Sequence, residues 1–440
     1  MAAAVIDATL ILTASSHRIA DDPPALRALN VSLGVLVAIL PLAHVTALRN
    51  ILIGLVAVFA LLQFRPAAFK NTPGLVPWLV WLAFAAASIG WSALPDASFQ
   101  AFRRDQFYPF VLFLVSFQVT QSYWGRLTVA LGTAAGTLLC LATMFAAAWL
   151  GTDLEAPVAA PGVLGWLAWR AGGSTDSSTY VAYVAVPLFL ILLTSRHPWR
   201  RWGAAAWLAV FAAIGFLSES RTLVATLFVS FVGFLVVLGF LRGRLRWKSV
   251  LVVVAIGLAV SAICMEIISR IRLPVTEPSD RSAAVALIMA DPRPAIWATY
   301  IELARKQPWF GVGLGRSVPS RVYHLDQDEE LRRIDPQASI HAHNVLLDMV
   351  LEVGLIGLAV WLGLHLELMR LAVRRARESG DREKAWAAAT VALVLAMLVK
   401  NSTNDLVVYG NALLLWVLLG TMLGLIWRSA PAAGDKKAGV

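Results

Sequence analysis

Two histidines, an asparagine and a set of arginines are the residues of this chain best suited to chemistry. His341 and His343 stand in Ser339-Ile-His-Ala-His-Asn344, where a long hydrophilic stretch re-enters an apolar run. Histidine ordinarily titrates near working pH, so a neutral His343 there could act as a general base toward a hydroxyl. A helix starting at this point would disfavour the imidazolium through its dipole. The bland alternative is an interfacial histidine hydrogen-bonded at a helix start, with Ser339 or Asn344 as neighbours. A third reading is a metal site drawing on His341, His343, His324, Asp326, Asp328, Glu329 and Glu330. That spacing matches no strong ligand signature, and no metal or cofactor is expected.

The arginines point to an anion. Arg221 lies in Ser218-Glu-Ser-Arg-Thr222, Arg293 in Pro292-Arg-Pro-Ala-Ile-Trp297, and Arg316 follows Gly311-Val-Gly-Leu-Gly315. Guanidinium suits bidentate phosphate recognition, although each could instead be a snorkelling or solvated side chain. The glycine run has the spacing GxGxG with no strand before it, so it reads as a flexible turn rather than a nucleotide fingerprint. Arg103 and Arg104 read as simple anchors. Asp405, after Lys400 and Asn404, is either a loop residue or an orienting partner for a histidine. Glu352 sits in an apolar run, where a carboxylate is costly unless paired or facing a wet cavity. Gly354 and Gly357 beside it read as a device for close helix packing.

The elements that would position these residues are membrane helices. The chain has 440 residues, 59% of them hydrophobic and only 15% charged; soluble domains carry about a quarter charged residues. Its 17 tryptophans fit the aromatic belts of membrane interfaces. The net charge of +10 suggests anionic headgroups or phosphorylated lipids rather than nucleic acid, since no basic run is interleaved with aromatics. The two cysteines, Cys140 and Cys264, lie in apolar runs and cannot organise a disulfide framework or thiolate metal site. Residues 1–27 contain Asp7, His17, Asp21 and Asp22 and lack the long apolar core of a cleavable signal.

Measured against the roughly 20 apolar residues a span needs, twelve stretches qualify: 28–45, 48–64, 74–92, 107–121, 127–150, 177–195, 203–217, 222–241, 249–268, 343–368, 386–400 and 411–427. With both termini cytoplasmic, one set of loops and tails holds 21 basic residues and the short opposite loops hold six, as the positive-inside rule requires. The expected layout is an N-terminal bundle over 1–268, an outer loop over 269–342, closing spans over 343–428 and a cytoplasmic tail over 429–440. Residues 151–176, rich in Gly, Pro and Ala, suggest a second outer segment lying on the membrane surface. Within the long loop, Asp291-Pro292 can start a helix. Ile296, Trp297, Tyr300, Ile301 and Ala304 then recur at helical spacing until Pro308.

These motifs resemble a known family. His343-Asn344, nine residues and Gly354-Leu-Ile-Gly357 is similar to the signature of O-antigen ligases and related polysaccharide polymerases. Arg293-x-x-x-Trp297, Pro308-Trp-Phe-Gly-Val-Gly-Leu-Gly315 and Ser-x-Ser-Arg221 resemble further parts of that pattern. The resemblance implies an all-α integral membrane protein of about twelve spans, a GT-C-type glycosyltransferase with one large, partly helical periplasmic loop. It implies a multi-pass protein of the bacterial inner membrane with its active site on the periplasmic face. The implied reaction moves polysaccharide from undecaprenyl diphosphate to a sugar hydroxyl of lipid A–core, inverting and metal-independent. Carried over by position, His343 would be the base, and Arg221 and Arg293 would hold the diphosphate. Asp405 matches an acidic residue of the family, whereas His341 and Arg316 have no counterpart in the pattern. An O-antigen polymerase or a protein O-oligosaccharyltransferase would share donor and base and differ in acceptor. A lipid-linked glycan transporter is the remaining class.

Overall fold

In the computed structural model, the described residues are 23–63, 69–151, 162–171, 173–217, 220–245, 292–403 and 409–428, with isolated positions at 248, 251, 252, 254, 255, 259 and 407. They contain helices and connecting turns, with no strand among them. In chain order the helices are α1 Pro24–Ile39, α2 Thr46–Leu62, α3 Leu75–Trp91 and α4 Pro95–Ala101. A π-helical turn, Phe102–Phe107, joins α4 to α5 Tyr108–Val119. Then come α6 Tyr123–Trp149, α7 Gly162–Trp169, α8 Ser174–Thr194, α9 Pro198–Leu217 and α10 Arg221–Leu241. After the long insertion begins, α11 Arg293–Lys306, α12 Ser317–Val322 and α13 Glu329–Ile334 precede α14 Val345–Arg377, α15 Asp381–Asn401 and α16 Tyr409–Arg428.

Helices occupy eleven of the twelve apolar stretches; the ninth, 249–268, lies almost wholly outside the described residues. Among the described residues five helices are long and apolar enough to cross a membrane: α6, α8, α10, α14 and α16. Three shorter apolar helices, α1, α2 and α3, stand beside them.

The bundle is organised around α8 and α16. Tyr180 to Val186 of α8 are buried without interruption, and so are Asn411 to Gly420 of α16, which no amphipathic surface helix would allow. α16 packs on α5 and α15, α10 on α15, and α1 on α6. The α1–α6 crossing depends on glycine: a Cβ on Gly132 would lie 2.5 Å from the Gly34 carbonyl oxygen. Close backbone approach of this kind is how helices associate where solvent contributes no hydrophobic drive. The outward faces are apolar too, with Ile51, Val58, Leu61 and Leu62 of α2 exposed. In water such a surface would be a liability; against acyl chains it is the expected one.

The insertion forms its own small core on the first turns of α14, built from Ile296, Tyr300, Leu303, Leu325, Leu331, Ala338, Ala342 and Leu351. α11 begins and ends close to the boundaries its sequence predicts, but its buried face is Ile296, Tyr300, Leu303 and Ala304. Ile301 is exposed and Trp297 half-buried, because the helix packs by one face, against α14 and the small core of the insertion.

α14 is broken at Gly354, whose φ of 72° and ψ of 179° are open to glycine alone. The break leaves helical backbone groups without partners at membrane depth, a cost that must be met internally. The segment 308–313 meets it. Pro308 and Trp309 carbonyls accept from the N–H groups of Leu355 (2.8 Å) and Ile356 (3.3 Å). The N–H groups of Val312 and Gly313 donate to the Leu351 and Glu352 carbonyls, both at 2.9 Å. On its other side the segment is held by Ala93 N–H to the Val312 carbonyl and by Trp91 Nε1 to the Phe310 carbonyl. The glycine run is therefore a fixed strut rather than a flexible turn. Gly354 is a helix break rather than a packing glycine, while Gly357 does pack closely, against Phe84 of α3.

Candidate functional site

The histidine turn is assembled from three directions. Asn344 caps α14, its Oδ1 accepting from Leu346 and Leu347 N–H. One turn on, Asp348 Oδ1 accepts from Ala342 N–H at 2.8 Å, tying the turn to the helix. From α11, Trp297 Nε1 donates to the Ala342 carbonyl (3.0 Å) and Tyr300 hydroxyl to the Ala338 carbonyl (2.7 Å). The helix that carries Arg293 thus also holds the histidines. His343 takes a left-handed φ of 52°, which turns its ring against that of His341, with centroids 4.1 Å apart.

The two histidines are not equivalent. His341 is 3% exposed, and its Nδ1 accepts from His343 N–H at 3.1 Å. A nitrogen that accepts carries no proton, so the neutral ring bears its proton on Nε2. Among the described residues that Nε2 has no hydrogen-bond partner, and His341 lines a large cavity. Burial, then the Arg316 guanidinium, then His343 hold the His341 imidazole neutral, far below its ordinary pKa. His343 Nε2 instead lies 3.3 Å from Asp335 Oδ2. Asp335 is fixed for that contact, because its Oδ1 accepts from Gln337 N–H at 2.8 Å.

The cavity has a volume of about 700 Å³ and a polar lining. Arg316 and Arg321 enter from the insertion, Arg104 from the π-helical turn, Asp176 from the start of α8 and Tyr409 from the start of α16. Arg104 is no simple anchor: it grips Asp105 through two bonds (2.9 and 2.8 Å) and its guanidinium lies 4.3 Å from the Tyr409 ring centre. Asp176 accepts from Asn411 Nδ2 (3.1 Å) and lies within electrostatic reach of Arg316, Arg49 and Lys400. Arg316 is aimed by its neighbour, since Gly315 N–H donates to Glu352 Oε2 at 2.7 Å. The carboxylate inside the apolar run is therefore paired.

Arg293 and His343 do not line the cavity itself. Arg293 lies within electrostatic reach of Lys400, a fully buried lysine whose Nζ donates to Thr222 Oγ1 at 3.1 Å. Thr222 adjoins Arg221, so the beginning of α10, the end of α15 and the beginning of α11 converge beside the cavity; the Arg221 side chain lies outside the described residues. Asp405 also lies outside them; the carboxylate beside His343 is Asp335, and Asp348 lies 4.0 Å from His341. Two acids of the alternative metal reading have other work: Asp328 caps α13 through Leu331 N–H, and Glu329 lies 3.4 Å from Arg333.

Residues 205–362 match the family model for O-antigen ligase. The similarity to that family covers this region of the chain, from α9 into α14. No curated protein matches it. The matched region of the O-antigen ligase family includes Arg221, Arg293, Arg316, Arg321, Asp335, His341, His343 and the Gly354 break. Asp96, Arg104, Asp176 and Tyr409, which complete the cavity wall, fall outside it. Asp335, Arg321 and Asp176 escape sequence reasoning because each looks like an ordinary loop or helix-end charge, as Arg104 looks like an anchor. The one local signal was Asp335-Pro336, an acid placed to cap a short helix shortly before the histidines.

Proposed function

We propose that this protein is an O-antigen ligase, transferring a glycan from undecaprenyl diphosphate to a sugar hydroxyl of lipid A–core. The single observation that carries the reading is the polar cavity in which Arg104, Arg316 and Arg321 share a wall with a neutral histidine at one end of an apolar bundle. Arginines at that level suit a lipid-borne diphosphate; the cavity histidine, His341, can donate from Nε2, and His343, whose ring packs on it at 4.1 Å, suits deprotonation of an alcohol.

In this mechanism His343 takes the proton of the acceptor hydroxyl, with Asp335 holding its ring and stabilising the imidazolium. The acceptor oxygen attacks the anomeric carbon in line, forming the new glycosidic bond with inversion. The bond from that carbon to the diphosphate oxygen breaks, and the diphosphate leaves with the electron pair. Arg221 and Arg293 bind the departing charge, supported by Arg316 and by the Nε2–H of His341. On the positive-inside reading the cavity opens to the periplasm, both termini lie in the cytoplasm and the protein sits in the inner membrane as a GT-C-type enzyme.

The test is transfer by purified protein in lipid, with undecaprenyl-diphosphate glycan and lipid A–core, in excess chelator. Expected are product from the wild type and none from folded His343→Ala that still binds donor. Loss of wild-type activity to chelator would overturn the metal-independent mechanism. Glycan lengthening or protein modification in place of transfer to lipid A–core would overturn the acceptor.

A further inference from the structure

At the other end of the bundle lies a second recess with a different character. α6, α8, α15 and α16 enclose an apolar cleft of about 90 Å³, walled by residues that include Leu127, Ala130, Val184, Pro187, Trp386 and Met422. Three helices are shared with the cavity region but at different levels: the cavity takes Asp176 and Tyr409, with Lys400 of α15 within electrostatic reach of Asp176, whereas the cleft takes Val184 and Pro187, Met422 and Trp386 of the same helices. Along α16, Tyr409 and Met422 are separated by roughly 20 Å at 1.5 Å per residue. The cleft therefore faces the other leaflet.

Arg126 lines this cleft and is 8% exposed. Its Nη1 donates to the carbonyls of Thr120 (3.2 Å) and Gln121 (3.3 Å), and its guanidinium lies 6.0 Å from the Tyr123 ring centre. Among the described residues its Nε has no hydrogen-bond partner and no carboxylate accepts from Arg126. Arg382 and Arg428, both exposed, lie within electrostatic reach of it. The acids of the first turn of α15 are turned elsewhere, Asp381 toward Arg242 at 3.8 Å and the Glu383 carboxylate against Gly380. A buried guanidinium with two like charges beside it is costly unless an anion completes the site. A basic mouth leading into an apolar slot is complementary to an amphiphile with an anionic head.

We propose that this cleft is a binding site for one anionic phospholipid of the leaflet opposite the cavity. Its phosphate sits among Arg126, Arg382 and Arg428, and an acyl chain lies between α6, α8, α15 and α16. The site is independent of the glycan-transfer reading and uses none of its residues.

The experiment titrates the detergent-purified full chain with phosphatidylglycerol, phosphatidylcholine or inorganic phosphate, reading adducts by native mass spectrometry and stability by thermal unfolding. A one-to-one phosphatidylglycerol adduct that raises the unfolding temperature is expected, with phosphatidylcholine at least about tenfold weaker. The double variant Arg382→Gln/Arg428→Gln, altered only at exposed positions, should bind phosphatidylglycerol roughly 30-fold more weakly. Ala130→Trp, which fills the slot, should abolish the adduct. Equal binding of the two lipids, or wild-type binding by either variant, would overturn the site. Full stabilisation by inorganic phosphate alone would overturn its assignment to a lipid. The double variant keeps the test decisive where Ala130→Trp fails to fold.

Discussion

The backbone N–H of His343 donates to Nδ1 of His341 at 3.1 Å, and this bond divides the labour between two histidines. It commits His341 to offering a proton from Nε2 and leaves the carboxylate-paired His343 as the proton acceptor. Glutamine at 341 can still offer an N–H, whereas leucine cannot. His341→Leu should therefore lower kcat/KM for glycan transfer by about 10- to 100-fold, the value of a hydrogen bond to a charged group. His341→Gln should stay within a few-fold of wild type. Equal, complete loss in both variants under steady-state kinetics would assign the base to His341 instead.

The same buried ring makes stability depend on pH. In the unfolded chain His341 takes up a proton below its ordinary value of 6.5, while in the folded protein it stays neutral. The unfolded state thus binds more protons, and stability falls as pH drops below about 6.5, by at most about 1.4 kcal/mol per unit. Above that pH the group contributes nothing. Thermal unfolding between pH 7.5 and 5, as chosen test conditions, should show a shallower decline for His341→Gln than for wild type. Parallel curves would contradict the buried neutral imidazole.

Asp335 offers a cleaner probe of the base than the histidine itself. Asparagine retains the cap on Gln337 N–H but removes the charge facing His343. Asp335→Asn should lower kcat by about 100-fold with little change in KM and within ~1 kcal/mol of wild-type stability. A variant with full activity would show that the ion pair is only structural.

Gly354 is the position least tolerant of a side chain. A Cβ there would lie 2.1 Å from the backbone of Trp309, in a conformation that already excludes other residues. Gly354→Ala should cost at least about 2–3 kcal/mol, seen as a lower unfolding temperature in detergent. Gly54→Ala in α2, where nothing lies within 4 Å, is the control and should be neutral or slightly stabilising.

Glu352 connects that break to the cavity. Glu352→Ala leaves the Gly315 N–H buried without its acceptor, at about 1–3 kcal/mol, and frees the turn that aims Arg316. The expected signature is a raised KM for the lipid-linked donor together with reduced stability. Glu352→Gln, which keeps a carbonyl acceptor, should recover most of both.

Helix positions, the amphipathic α11 and its proline-marked start were legible because hydrophobic length and periodicity are local properties of the chain. So was the end of the insertion at Asn344, which caps α14 as its residue type suggests. The choice between the histidines was not legible: they lie two residues apart, and the positive φ of His343 and the clamps from Trp297, Tyr300 and Asp348 decide which ring faces the cavity. Nor was the partner of His343, since Asp335 reads as a cap until folding brings its second oxygen to the ring. Gly354 could be read as a packing residue because nothing nearby in sequence reveals that residues 308–313 supply the hydrogen bonds of a broken helix. Composition and periodicity alone determined that this chain is a bundle of apolar helices with its polar chemistry gathered near the insertion. Tertiary structure decided which charges meet there, because Arg104, Asp176, Arg316 and Tyr409 come from four distant segments whose meeting depends on helix packing rather than spacing.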